Sequence, residues 1–455
     1  MKEYITYKTH ILLSYCLLIF SIAFLLISEM YDIEDSVYSI FYSLIFAISF
    51  LSRCVLAKES LYSFYSLYIY TFYIFVLGSF FSAWVIGMDI FQRDIFGFIT
   101  VENKSRLMMF VLVFYFSCEA GYFYNNRKFK ISNYPLSKPV LLRFTVFVIV
   151  FFFGSTFFLI QINFNNIYTS LNSSYMHSFE SGNTSKSGTP TELILYMINN
   201  VSLGIAAMIS RDKPRLFKIV LYVFVLNSVM TILGGGRSMA ISAIFVLLYI
   251  VNQKNDRFSI KNLMSFFIIT FSVLLLLNYA MTFTSRAAYT ELTIYTYIAK
   301  FLYDQGSTLL VINASMNVDS YPVMPYLKTF FPFLPAISNL LTSIDYYPYE
   351  INFAHYLAWS IDSSLYSTGR GLGWSLLSDI YLYSLRNVIF FAMLSFLFGK
   401  AIKYLSNHSN VTYGLLISIA PVFFTINRAS ISTLIPMVIL YLLVFNLLKI
   451  KNGNY

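Results

Sequence analysis

The chain is a succession of apolar runs, each close to the length that crosses a bilayer. The first, Ile11 to Ile27, carries no charged side chain, and similar runs recur almost to the C-terminal end. A helix needs about 20 apolar residues to cross the hydrocarbon core, where every backbone N–H and C=O must be satisfied internally. Spans are read at 9–28, 36–52, 61–86, 106–124, 140–162, 191–210, 216–234, 237–252, 262–283, 387–405, 411–427 and 430–448. The chain is 58% hydrophobic and 11% charged, whereas soluble domains carry about 25% charged residues. The expected fold is therefore an all-α polytopic membrane protein with about 12 transmembrane helices. The first run is followed by further spans, so it reads as a retained helix rather than a cleaved leader.

The net charge of +10 would suit nucleic acid, but its distribution suits a membrane. With the N-terminus in the cytoplasm, 20 of the 31 Lys and Arg fall on inner loops. They include the cluster Arg127, Lys128, Lys130, Lys138 and Arg143, and Arg53 after the second span. The other 11 are spread over longer outer loops. This is the positive-inside pattern, and it places both termini in the cytoplasm with no nucleic-acid partner. Cys16, Cys54 and Cys118 lie in spans or near the inner face, so no structural disulfide is expected. Zinc-ligand spacing, a P-loop and a GxSxG elbow are absent, so no metal or cofactor is expected.

Three regions follow: spans one to nine in 1–283, a large outer loop in 284–386, and the last three spans in 387–455. The loop is rich in aromatics and paired prolines ("YPVMPYLKTFFPFLP") and should fold against the membrane. A short amphipathic helix is expected near Glu291 to Tyr303.

Within the apolar background stands "LGGGRSMAIS", 233–242. Lys218 and Lys254 both sit at the inner face with 35 residues between them, and two crossings need about 40. The turn must be tight. Gly234, Gly235 and Gly236 make it sterically accessible, Arg237 stands at the apex, and Ser238 is placed to cap the returning helix. The design recurs at "INRASIS", where Arg428 tops a hairpin with 38 residues between Asn410 and Lys449. Each arginine alone reads equally well as an interfacial residue snorkelling to water. As a pair they make an anion site at the membrane edge, and the planar guanidinium fork suits phosphate.

A late, large outer loop, the apex "GGGRS" and the stretch "GRGLGWSLLSDIYLYS" together resemble the O-antigen polymerase family. The shared pattern is G-x-G-x-S, an acidic residue, then Tyr, here Gly371, Gly373, Ser375, Asp379 and Tyr381, with Gly371 and Gly373 as turn residues. The family more often has Glu where Asp379 stands, and Phe-Gly where this chain has Ser384-Leu385. The resemblance implies a GT-C-like glycosyltransferase of the bacterial inner membrane with its active site facing the periplasm. Its substrates would be oligosaccharide repeat units on undecaprenyl pyrophosphate. The growing chain moves onto a new unit and undecaprenyl pyrophosphate leaves. A chain-length regulator and a flippase of the same pathway are the implied protein partners.

For that chemistry, cations at the leaving pyrophosphate stabilise the transition state. Arg237 and Arg428 are the first choices and Arg286 and Arg370 the second, each otherwise an ordinary loop charge. The acceptor hydroxyl needs a base. His355 and Asp379 are the candidates, with Asp345, Glu350 and Asp362 as rivals; His355 reads otherwise as a packed core residue and Asp379 as a helix-entry residue. Tyr346, Tyr347, Tyr349, Tyr356, Trp359 and Trp374 offer faces for sugars, or simply a loop core and an interfacial belt. The competing functions are an O-antigen ligase, a lipid-linked oligosaccharide flippase, and a structural envelope protein. A flippase should have short outer loops and charges at mid-membrane.

Overall fold

The computed structural model describes residues 2–31, 33–94, 96, 98–124, 136–172, 190–233, 237–252, 293–342, 346–406 and 409–449, with Met264, Ile268 and Ser272. In chain order the elements are α1 (Lys2–Met30), α2 (Asp35–Val55), α3 (Phe64–Phe75), α4 (Gly78–Ile86), β1 (Gln92–Asp94), β2 (Phe98–Thr100) and α5 (Lys104–Phe123). Then come α6 (Lys138–Phe147), α7 (Phe153–Asn172), α8 (Pro190–Met208), α9 (Pro214–Leu233) and α10 (Arg237–Val251). The loop region supplies α11 (Ile294–Gln305), α12 (Thr308–Asn317), α13 (Val323–Phe330), α14 (Leu334–Thr342), α15 (Pro348–Ile351), α16 (Phe353–Ile361), α17 (Ser363–Ser367) and α18 (Leu376–Tyr383). The chain closes with α19 (Val388–Ser406), α20 (Asn410–Phe423) and α21 (Ile435–Lys449).

Among the described residues nine helices are long and apolar enough to cross a membrane, or ten if a bent pair is one span. The protein is an all-α polytopic membrane protein. The run read as one span at 61–86 is the bent pair α3 and α4, which meet at 42°. The break lets the α4 backbone press on α11, since a Cβ on Gly78 would strike the carbonyl of Leu302. The run at 237–252 forms α10, only 15 residues long. Most of 262–283, and Gly234, Gly235 and Gly236, lie outside the described residues. The helix starts at Arg237, so Ser238 stands inside its first turn and is not the cap. The amphipathic helix expected near Glu291 to Tyr303 is α11.

Close backbone contact holds the bundle centre together. α5 and α19 meet at Gly121 and Gly399, where a Cβ on either would run into the carbonyl of Phe396 or Cys118 respectively. Van der Waals packing of this kind drives helix association in lipid, because apolar burial alone gains nothing there. α6 and α7 are joined by a π-turn, Val148–Phe152, and Asn199 of α8 donates to Ser155 and Thr156 just beyond it, at 3.1 and 2.7 Å.

Among the described residues a charged cluster lies inside the bundle. Arg53 belongs to α2 and is fully buried rather than being a loop charge after it. Its Nη1 donates to Glu119 Oε1 of α5 at 3.3 Å, while Glu119 Oε2 meets His10 Nε2 of α1 at 2.8 Å. His10 Nδ1 pairs with Ser52 Oγ at 2.7 Å. The rings of Phe50 and Tyr65 face the guanidinium at 5.5 and 5.8 Å. Intramembrane charges persist only when paired in this way, so the cluster ties α1, α2 and α5 into one unit.

Contacts bring together the β1–β2 hairpin, helices of the 293–383 region and the turn between α20 and α21. Arg93 donates to the carbonyl of Tyr303 at 2.8 Å, and Lys104 pairs with Asp35 at 2.7 Å. The loop helices form a layer. Its core stacks Phe353 on Trp374 at 5.3 Å, with Tyr321 edge-on to both. Val323, Phe330, Phe331, Phe333 and Leu341 stay exposed on its flank.

Candidate functional site

The site grows from α18, the helix of the G-x-G-x-S pattern. Gly373 adopts φ +82°, a left-handed conformation that glycine takes without a Cβ penalty. That turn sends Trp374 into the loop core and leaves Ser375 as the N-cap, its side chain accepting from Leu377 N at 3.2 Å. Asp379 then falls in the first turn of α18 and is fully buried.

Its carboxylate is occupied on both oxygens. Trp374 Nε1 donates to Oδ1 at 2.7 Å and Ser430 Oγ to the same oxygen at 3.3 Å. The backbone N–H of Ile431 donates to Oδ2 at 2.6 Å. Burial pushes this carboxyl up to about 7, against the pull of the hydrogen bonds it accepts from Ile431, Trp374 and Ser430. Asp379 thus joins the two motifs that stood apart in the sequence, the G-x-G-x-S helix and the "INRASIS" turn.

That turn is two short 3-10 segments, Ile426–Arg428 and Ile431–Thr433. Asn427 is buried, donating to Thr71 at 2.9 Å and accepting from Tyr68 at 3.2 Å, both on α3. Arg428 is exposed, and its Nη1 donates to Gln305 Oε1 of α11 at 2.7 Å. The guanidinium is therefore steered at its base on one side by Asn427, on the other by Asp379, and at its head by Gln305.

α10 packs on α20 through Ser242 Oγ, which donates to the carbonyl of Pro421. Phe245 of α10 also lies edge-on to Phe424 at 5.7 Å. Arg237 opens α10, and its side chain lies outside the described residues. Arg370 is exposed on the loop layer. Arg286 and Asp345 lie outside the described residues.

His355 on α16 is half-buried, its Nδ1 3.0 Å from Tyr366 Oη. Burial, and then the charge of Lys328, hold it below the ordinary histidine range. Lys328 on α13 is itself lowered by burial. The rival carboxylates are engaged as caps: Asp362 accepts from the backbone of Ser364 and Leu365, each at 2.9 Å, and Glu350 accepts from Tyr347 N at 2.8 Å. Of the aromatic candidates Trp374 is core, whereas Tyr347, Tyr349 and Trp359 form a ladder with ring spacings of 5.3 and 4.7 Å whose outer members are exposed.

The sequence did not single out Gln305, Lys328, Arg106 or Arg386. Tyr381 Oη accepts from Arg106 of α5 at 2.7 Å, so the tyrosine of the pattern faces away from Asp379 and toward another arginine. Polar residues at the ends of apolar runs carry no mark of what they will meet across the fold.

Searches of curated proteins and of solved structures find no match. The family model described as O-antigen polysaccharide polymerase Wzy matches residues 11–452, nearly the whole chain. A match of that extent, on a helical membrane bundle whose G-x-G-x-S helix is pinned to an arginine turn, gives the assignment: this chain belongs to the O-antigen polysaccharide polymerase Wzy family.

Proposed function

We propose that the protein elongates O-antigen on the periplasmic side of the inner membrane, moving a growing glycan from undecaprenyl pyrophosphate onto a new lipid-linked repeat unit. The observation that carries this reading is the exposed Arg428, held by Gln305 and by a turn locked to buried Asp379. As the anomeric bond breaks, charge grows on the leaving pyrophosphate. A fixed guanidinium stabilises that charge without reorganising. Arg428 supplies this contact, and Arg237, the arginine of the "GGGRS" apex, supplies a second. Arg370 and Arg286 are reserves on the loop. Asp379 acts through the turn: its oxygens are engaged by Trp374, Ser430 and Ile431, so it is a positioning residue.

His355 is the group that accepts the proton of the acceptor hydroxyl. Its lowered pKa keeps the ring neutral, and hence basic, at neutral pH. The exposed Tyr347–Tyr349–Trp359 ladder gives sugars a flat apolar face. The exposed apolar flank of the loop layer supports seating on the membrane surface. The basic inner loops support the orientation.

Two experiments follow. Deleting the gene should leave surface lipopolysaccharide with a single repeat unit on its core in place of a ladder; an unchanged ladder would sink the reading. The pH–rate profile tests His355. With Lys328 removed (Lys328→Gln), the histidine rises toward its ordinary range, so the acid limb should move to higher pH. A profile that does not move would take the base role from His355.

A further inference from the structure

Transfer between two lipid-linked glycans needs two carriers bound at once, and the Arg428 turn accounts for one. A second arginine site lies on the other side of α18. Asp379 and Tyr381 are two residues apart, about 200° around a helix, so they point to opposite faces. The Asp379 face fixes the Arg428 turn, and the Tyr381 face holds Arg106.

Arg106 and Arg386 line a cavity of about 530 Å³ between α1, α5 and the start of α19. Leu25 and Leu26 of α1, Phe110 of α5 and Val388 of α19 form its apolar wall, and Glu29, Asn103, Ser105 and Asn387 line its polar side with the arginines. Phe110 lies one turn below Arg106, so the apolar part extends along the helices away from the arginines. Leu26 is 60% exposed, which leaves the cavity open on the side of the bundle.

Arg386 is held in place at a conformational cost. It and Leu385 adopt φ of 61° and 54°, the left-handed region that disfavours side chains by about 1–2 kcal/mol per residue. The head is anchored by bonds from Nη2 to the carbonyls of Val318 and Asp319 at 2.7 and 2.6 Å. The left-handed pair closes α18, with the Arg386 N–H donating to the carbonyl of Tyr381 at 3.0 Å. Arg106 commits one bond to Tyr381, so both guanidinium groups retain further donors.

The cavity continues into a polar trough. A neighbouring space of about 330 Å³ shares Glu29, Asn103 and Ser105 with it. A third, about 680 Å³, shares Glu102 with the second and is lined by Asn313, Asn317, Asp319, Tyr356 and Ser360. The carbonyls that anchor Arg386 belong to this third space. An apolar, side-open groove thus leads past two cations to amides, hydroxyls and a tyrosine. Only an amphiphile with a hydrocarbon tail, an anionic head and a polyhydroxylated extension matches all three parts. Glu29 at the junction is exposed, and Glu102 and Asp319 line the path beyond it, so the two arginines are the cations at the head of a trough that turns acidic further on.

We infer that this groove seats the second lipid-linked substrate, with its pyrophosphate on Arg106 and Arg386, its polyprenyl tail along Leu26, Phe110 and Val388, and its glycan in the polar trough. The inference rests on the proposed lipid-linked polymerase reading, and stoichiometry separates the two. Native mass spectrometry of the full chain in detergent, titrated with undecaprenyl pyrophosphate and with phosphatidylglycerol as a control, counts the sites. The wild type should bind two undecaprenyl pyrophosphates in preference to phosphatidylglycerol. Arg106→Gln with Arg386→Gln should bind one, and Arg428→Ala should also bind one. Leu26→Trp fills the exposed mouth without touching the fold and should likewise lose one. Two sites surviving in both groove variants, or a groove filled equally by phosphatidylglycerol, would overturn the second seat alone. A single wild-type site, lost in Arg428→Ala and kept in the groove variants, would do the same. A wild type that binds no undecaprenyl pyrophosphate would bring down the proposed function with it.

Discussion

Asp379→Asn is expected to abolish chain elongation while the protein still accumulates in the membrane. The native carboxylate accepts from Trp374 and Ser430 on one oxygen and from Ile431 on the other. Asparagine has a single acceptor oxygen, so its NH₂ must confront either the indole N–H or the Ile431 N–H. A buried donor left without an acceptor costs about 1–3 kcal/mol, and the turn carrying Arg428 relaxes to avoid that cost. A displacement of about 1 Å at a catalytic contact lowers rate about 100-fold. The readout is ladder length on a gel beside the amount of monodisperse protein in detergent. A wild-type ladder from Asp379→Asn would show that the turn does not depend on this carboxylate.

Glu119→Ala is expected to have the largest effect on stability. The residue is 1% exposed and is the counter-ion of Arg53 and the partner of His10, both fully buried. Removing one member of a buried ion pair costs about 3–5 kcal/mol, because the remaining charge stays buried and uncompensated. Glu119→Gln keeps an acceptor but loses the charge and should fall between. Replacing both partners with apolar residues, Glu119→Leu with Arg53→Met, should recover much of the loss. Thermal unfolding in detergent ranks the four proteins. An unchanged midpoint for Glu119→Ala would mean that the cluster does not hold α1, α2 and α5 together.

The all-α membrane class is legible because apolar length marks it, and nine of the twelve runs are helices long enough to span; 61–86 is a bent pair, 237–252 gives a helix of 15 residues, and most of 262–283 lies outside the described residues. The pattern marks a turn, and Gly373 takes it in a left-handed conformation; the helix that Ser375 caps and Asp379 enters lies within what reads as loop. The link between Asp379 and Ile431 is not legible, because it joins residues 52 apart through one backbone N–H that no side-chain pattern marks. The same holds for Gln305 and Arg428. Arg53 reads as a loop charge because it ends an apolar run, where a basic residue ordinarily meets headgroups. The signal that it belongs inside was Glu119, a carboxylate within the fifth helix that requires a cation. Aromatic content misled in neither direction: Trp374 became core and Trp359 stayed exposed, a division set by tertiary packing alone.

The most direct test is reconstitution of the purified chain in liposomes with undecaprenyl-pyrophosphate-linked repeat units as the sole glycan. The wild type should convert single units into a ladder and release undecaprenyl pyrophosphate. Arg428→Ala, folded to the same thermal midpoint, should leave the single units unchanged, and Arg428→Lys should restore little, because a point charge does not replace the planar fork. A ladder of wild-type length from Arg428→Ala would contradict the assignment of this turn to the reacting pyrophosphate.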